Sequence, residues 1–188
     1  QDGDADAVLA AADKVTKAEY RASYLAHIQM EPLNATVLWN ADDSIEMWTG
    51  TQSPSPGLSA VSNVTGVPKE KIKINTVFLG GGFGRRGEVD YMQTAALVAR
   101  ELKGTPVKVL YSREDDFARD TYRPAALARL EGKVENGKVT AVKGAASTLS
   151  VIGNWGGRIG LPLGGPDDSI IEGMSHQPYA IPNYQVTG

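Results

Sequence analysis

The sequence predicts an α+β fold, with mixed sheets and helices packed on them. Three observations carry that expectation. Short alternating runs are joined by turn residues at two places, around 41–44 and 136–137. A strand-like run, a glycine loop, a helix-like run and another strand follow one another at mid-chain. Between 88 and 103 the apolar residues recur at helical rather than strand spacing.

Taken in order, residues 5–14 read as a short helix led by acidic residues, so 1–14 is a lead-in. Residues 15–150 form the expected ordered core. Val15–Ala26 alternates loosely, and so do Thr36–Trp39 and Ile45–Trp48, with Ala41-Asp42-Asp43-Ser44 turning between the last two. Pro54 and Pro56 suit the first turn of a helix running to about Asn63, because proline has no N–H to lose there. Lys71–Leu79, with Ile72, Ile74, Val77 and Phe78, is a strand that delivers the glycine loop. Glu88–Lys103 is the best helix: Met92, Ala95, Ala96, Ala99 and Leu102 share a face, and Gly104 ends it. Val107–Tyr111 is a short strand. Asn136-Gly137 joins Leu127–Val134 to Val139–Leu149 as a two-residue hairpin. Beyond Ser150 no period is sustained, and 151–188 reads as a Gly/Pro-rich tail that packs on parts of a larger protein.

A net charge of −3 and a pI near 5.4 provide no general attraction to nucleic acid, so no nucleic-acid partner is expected. No apolar run reaches the roughly 20 residues of a membrane helix. The chain has no cysteine, which excludes disulfides and cysteine-held iron–sulfur clusters within it. Two histidines, His27 and His176, are too few for a histidine metal centre. If a metal works here, most of its ligands come from a cofactor or another segment, and none is expected directly from this chain.

Gly80-Gly81-Gly82-Phe83-Gly84 leaves the backbone nearly bare around one ring, with Arg85 and Arg86 behind. Such a loop brings main-chain N–H groups against an anionic or polar-ring ligand. Gly82–Gly87 also fits G-x-G-x-x-G, with Glu114 and Arg113 where a dinucleotide fold places its ribose-binding and 2′-phosphate-binding residues. A nicotinamide-dependent reductase is thus one alternative, and a catalytically silent interaction module another. Glu88 stands against the first, being an anion where a pyrophosphate would sit. Gln52, at a strand-to-helix junction, can donate an amide N–H to an oxo group while accepting elsewhere; a solvated loop glutamine is its plain alternative. Glu31 precedes a proline and reads as a turn residue. Most of the charges in the runs Arg113–Asp116 and Arg119–Arg123 read as surface ion pairs, with Asp115 or Asp116 capping a short helix. Trp155-Gly156-Gly157-Arg158 reads as a turn, a substrate rim or a connector.

His27–Pro32 (HIQMEP), Trp48–Gln52 (WTGTQ), Gly80–Gly84 (GGGFG), Pro106–Asp116 (PVKVLYSREDD), Tyr122-Arg123-Pro124 and Tyr179–Asn183 (YAIPN), in this order, resemble the large subunit of the molybdenum hydroxylases. This is the xanthine oxidase and aldehyde oxidase family, and the likeness is nearest to its isoquinoline 1-oxidoreductase beta-subunit branch. The resemblance implies a fragment of the molybdopterin-binding domain, inert by itself. The parent would carry molybdopterin cytosine dinucleotide with molybdenum and hydroxylate an N-heterocycle or an aldehyde with water. Its electrons would pass to an iron–sulfur small subunit and on to an acceptor such as a cytochrome, and it would reside in the periplasm, with the cytoplasm as the alternative. By the same likeness Gln52 would hydrogen-bond an oxo ligand of molybdenum. Gly81, Gly82, Phe83, Gly84 and Arg85 would line the cofactor, with Phe83 at the substrate entrance. The general-base glutamate would lie in a segment this chain lacks. Xanthine-specific members have a glutamate after the glycine loop and an arginine before the Tyr-x-Ile-Pro-Asn run. Here the loop continues Arg85-Arg86-Gly87-Glu88 and Ser169–Pro178 has no arginine, so a less polar heterocycle or an aldehyde is expected.

Overall fold

The computed structural model describes residues 1–160 and 164–188. It divides into two units, each built on a four-stranded mixed sheet.

Unit 2 comprises residues 26–122 and 155–160. Its sheet has β2 (Asn34–Trp39), β3 (Ile45–Thr49), β4 (Ile72–Thr76) and β5 (Val107–Leu110) in the order β4-β3-β2-β5. β2 and β3 form the hairpin expected at 41–44, with Asp43 at φ +61° in its turn. β3 pairs parallel with β4, and β2 antiparallel with β5. Alternation decides the faces. Ala35, Val37, Trp39, Ile45 and Met47 are buried, whereas Glu46 on the opposite face meets Lys73 and Asn75. The buried face is covered by α2 (Pro54–Thr65) and α3 (Asp90–Arg100), which contribute Val61, Met92, Ala95, Ala96 and Ala99. α2 begins on its prolines and ends on Gly66 at φ +76°, a left-handed cap that glycine adopts without penalty. Leu102, expected on the buried face of α3, is half exposed, because the helix ends at Arg100 and the repeat runs past its cap.

β4 and β5 lie at opposite edges of this sheet with two strands between them. A dinucleotide fold needs the strands before and after its first helix side by side. The G-x-G-x-x-G arrangement is therefore present in sequence and missing in topology. The β4 strand also stops at Thr76, so Val77–Leu79 belong to the loop.

Unit 1 comprises residues 1–25, 123–154 and 164–188. Its sheet runs β1 (Thr16–Ala22), β6 (Ala126–Glu135), β7 (Lys138–Thr148), β8 (Asn183–Thr187). β6 and β7 form the long hairpin expected at Asn136-Gly137, both residues having positive φ as this turn requires. α1 (Ala5–Ala10) places Ala5 and Leu9 in buried positions, and its Asp6 pairs with Lys143 of β7. Leu25 and Arg123 exchange two backbone hydrogen bonds, at 3.2 and 2.9 Å, where the chain leaves this unit and returns.

The stretch after Ser150 is more ordered than its sequence pattern suggests. It contains α5 (Val151–Ile159) and the strand β8, paired parallel to β7. Trp155–Arg158 accordingly sits on a helix, not a turn.

Candidate functional site

The glycine loop follows β4 and is stitched to its surroundings at almost every residue. Gly80 donates its N–H to Glu31 Oε2 at 2.8 Å and accepts from the Glu31 N–H. Gly82 and Gly84 carbonyls accept from the N–H groups of Arg85 and Gly87, forming a 3₁₀ turn over Arg85–Gly87. The backbone is wound tightly, with φ of +93° at Gly81, +53° at Phe83 and +101° at Gly84. Two of these three are glycine, and Phe83 accepts the conformation with its ring 59% exposed.

Arg86 is the hub. Its side chain is fully buried, and its guanidinium donates to the carbonyls of Gly81, Gly50 and Glu31 and to Glu31 Oε2. The planar fork satisfies acceptors from three segments at once, which a lysine cannot do. Burial pushes the Glu31 carboxyl up, but hydrogen bonds from Gly80 and Asn34 and the Arg86 charge outweigh it, and the group is held below the usual range.

Arg85, expected to line a ligand, is turned inward. It is fully buried, bidentate to Asp90 at 2.8 and 2.9 Å, and bonded to the Arg119 carbonyl. Burial opposes its charge, yet Asp90, with Asp120 and Asp116, raises its pKa above the ordinary guanidinium value. Its contribution is to hold the loop from behind.

Gln52 closes the other side. Its backbone N–H donates to the Arg86 carbonyl at 2.9 Å, and its side-chain Oε1 accepts from the Gly84 N–H at 3.1 Å. That second bond fixes the amide: oxygen faces the loop, so Nε2 and its two protons face away from it. Gly82 must stay bare for this, because a Cβ there would lie 2.5 Å from Gln52 Oε1. Among the described residues the N–H groups of Gly81 and Gly82 and the Gln52 Nε2 take no hydrogen-bond partner. The loop thus offers donors and no exposed cation, a set that suits oxo and pterin acceptors.

Distant segments support this arrangement. Gln29 is buried and donates to both oxygens of Asp116, which also pairs with Arg113 at 2.9 Å. Arg113 caps the carbonyls of Gln29 and Met30. Within the run, Asp116 and the Asp120 side chain are buried against residues 27–30, whereas Glu114, Asp115 and Arg119 are exposed as a surface run would be. The cap of α4 (Arg113–Ala118) is Ser112, with Asp115 completing a capping box. His27 and Asp120 pair at 2.7 Å. Trp155 donates to the Gly87 carbonyl, and Arg158 holds the nearly buried Glu88 through three hydrogen bonds. Glu88 is thus an internal counter-ion. Sequence reasoning missed the pairs Gln29–Asp116, His27–Asp120 and Glu88–Arg158. The described residues contain no cluster of acidic or histidine side chains able to hold a metal ion.

Comparisons with known proteins identify the family of the chain. The sequence profile of the molybdopterin cofactor-binding domain matches residues 1–188. The isoquinoline 1-oxidoreductase subunit beta of Brevundimonas diminuta is 36% identical over 130 residues, covering 69% of this chain and 16% of that protein. A membrane-bound aldehyde dehydrogenase of Gluconacetobacter polyoxogenes, named for pyrroloquinoline quinone, is 36% identical over 129 residues, covering 69% and 17%. The aldehyde oxidoreductase of Desulfovibrio gigas shares the fold with a TM-score of 0.72 at 17% identity, covering 99% of this chain and 20% of that one. The chain spans about one-sixth of the length of the curated relatives it matches. It belongs to the molybdopterin cofactor-binding domain family.

Proposed function

We propose that the chain supplies the first wall of a molybdenum–pterin site in a longer oxidoreductase that hydroxylates an N-heterocycle or an aldehyde with oxygen from water. The observation that carries this reading is the Gln52 amide, whose Oε1 is tied to the Gly84 N–H so that Nε2 is left as a donor without an internal partner, as are the N–H groups of Gly81 and Gly82. Fixed donors stabilise charge that develops on an acceptor without reorganising, and so act more strongly than water would.

In this reading Gln52 Nε2 hydrogen-bonds an oxo-type acceptor of the cofactor, and the Gly81 and Gly82 N–H groups hold its neighbouring polar atoms. The exposed Phe83 ring offers a flat apolar surface to a planar substrate. Arg85 and Arg86 act from inside, keeping the loop in its wound form. The bound molybdenum centre supplies the two-electron oxidation, in which a C–H bond gives way to C–OH, water provides the oxygen, and two protons and two electrons depart. In this reading the electrons leave through an iron–sulfur small subunit toward an acceptor such as a cytochrome. The isolated 188 residues are inert, because the general base lies outside them. The cofactor form is the cytosine dinucleotide and the compartment the periplasm; no described helix is long and apolar enough to cross a membrane.

The test is molybdenum content, and cytidine nucleotide released on denaturation, in the full-length parent co-expressed with its small subunit. Near-stoichiometric metal and nucleotide are expected. A quinone in place of metal would move the cofactor to the one named for the Gluconacetobacter relative. NADPH binding without metal would restore the nicotinamide alternative, and neither would leave the silent module.

A further inference from the structure

His27 has a nitrogen that no internal contact uses. Its side chain is only 9% exposed, and both its backbone N–H and its ring Nδ1 are bound by one carboxylate: Asp120 Oδ2 at 2.8 Å and Oδ1 at 2.7 Å. Asp120 is itself 4% exposed, with Arg85 Nε 3.6 Å from Oδ1 as its counter-charge. A carboxylate only accepts, so Nδ1 carries the hydrogen, and the neutral tautomer this selects has its lone pair at Nε2. The same device, a carboxylate behind a histidine, sets the tautomer and raises the basicity of the far nitrogen in metal and catalytic sites.

That far nitrogen comes out at the glycine loop. Nε2 lies 3.5 Å from the position a Cβ would take on Gly84. Among the described residues the sealed polar atoms lacking a partner are Arg85 Nε and Gln185 Oε1. His27 Nε2 has no partner either but is not sealed, so it retains access to the outside. Gly84 is thus flanked twice: its N–H is held by Gln52, and its bare Cα leaves the imidazole uncovered. Burying most of a ring, fixing its tautomer and leaving one acceptor open beside a ligand loop has no structural use that the fold itself reveals.

We propose that His27 Nε2 is a contact for the pterin cofactor, accepting a hydrogen bond from one of its N–H or O–H groups, with Asp120 as the positioning residue that keeps the nitrogen an acceptor. This inference rests on the reading that the loop holds such a cofactor. Gln52 donates and His27 accepts, so the two sides of Gly84 have opposite polarity. The pair therefore selects an orientation of the bound group, which a row of donors alone would not.

The experiment is carbethoxylation of the full-length parent by diethyl pyrocarbonate, with and without its cofactor, followed by peptide mass mapping. The reagent attacks an accessible, unprotonated imidazole nitrogen. Loss of the His27 adduct in the loaded protein is expected, with His176 modified alike in both forms. A second measurement uses Asp120→Asn, whose carboxamide N–H would face Nδ1 and move the ring hydrogen to Nε2. Loss of molybdenum from this variant on desalting is expected, under conditions where wild type retains it. His27 modified equally in both forms, equal protection of His176, or full metal retention by Asp120→Asn overturns the contact. Absence of metal from every preparation overturns the functional reading and this contact together.

Discussion

Gly82→Ala tests the central geometry of the site, because the structure says what the added methyl would meet. The Cβ would stand 2.5 Å from Gln52 Oε1 and 2.9 Å from its Cδ. The backbone at 82 lies outside the left-handed region, so alanine is acceptable there and the whole cost falls on Gln52. The amide must leave its rotamer, at about 0.5–1.5 kcal/mol. It also loses the bond from Gly84, at about another 0.5–1.5 kcal/mol. Together the substitution costs about 1–3 kcal/mol. With Gln52→Ala already present the obstacle is gone, and Gly82→Ala becomes neutral or stabilises by about 0.4–1 kcal/mol through the unfolded chain. The cycle is read by urea unfolding followed by tryptophan emission. Trp39, Trp48 and Trp155 all lie in unit 2, so the signal reports the unit that contains the loop. Equal midpoint shifts for Gly82→Ala in both backgrounds would refute the claim that Gln52 is held against Gly82.

Four further outcomes are expected. Arg86→Met, which removes a fully buried charge from its acceptors, costs about 3–5 kcal/mol in the same assay. The Glu31 carboxyl has its pKa lowered in the fold, so its stabilising effect is complete above its unfolded pKa and is lost as pH falls through the folded value. Wild type should therefore lose stability on acidification more steeply than Glu31→Gln, measured as urea midpoints from pH 6 downward. Ser112→Ala breaks the α4 capping box and costs about 0.5–2 kcal/mol. In the parent enzyme, Gln52→Ala and Phe83→Ala lower turnover while moving the unfolding midpoint less than Arg113→Ala, which removes a charged donor from the buried Asp116 and from the Gln29 and Met30 carbonyls.

Local signals in the sequence marked the elements well where one segment decides its own shape. The Asn136-Gly137 and Ala41–Ser44 turns are both hairpins in the structure, and the proline start of α2 and the alanine face of α3 hold as expected. The same logic overshot at Leu102, since a periodic pattern carries no mark of where the helix stops. It undershot after Ser150, where Gly153, Gly156 and Gly157 conceal a helix and the partner of β8 lies far away in sequence. The site was half legible. The glycine loop and Gln52 announce themselves by composition and position. Asp116 and Asp120 do not, because their partners Gln29 and His27 are 87 and 93 residues distant. A run of charges looks solvated until another segment covers it.

The Leu25–Arg123 pair has a consequence for how the protein is made. Residues 26–122 leave and rejoin unit 1 through two adjacent backbone positions, so their ends are already close. During synthesis this stretch emerges from the ribosome whole before β6, β7 or β8 exists to complete the other sheet. Most of unit 2 can condense early, and the pairing of β1 with β6 must then bridge a folded insert. Closing a loop grows costlier only slowly with its length, and a compact insert with neighbouring ends costs less than a flexible one. The sheet of unit 1 is therefore completed only after the glycine loop has been made, and Trp155 and Arg158 reach Gly87 and Glu88 only once β6 and β7 have followed.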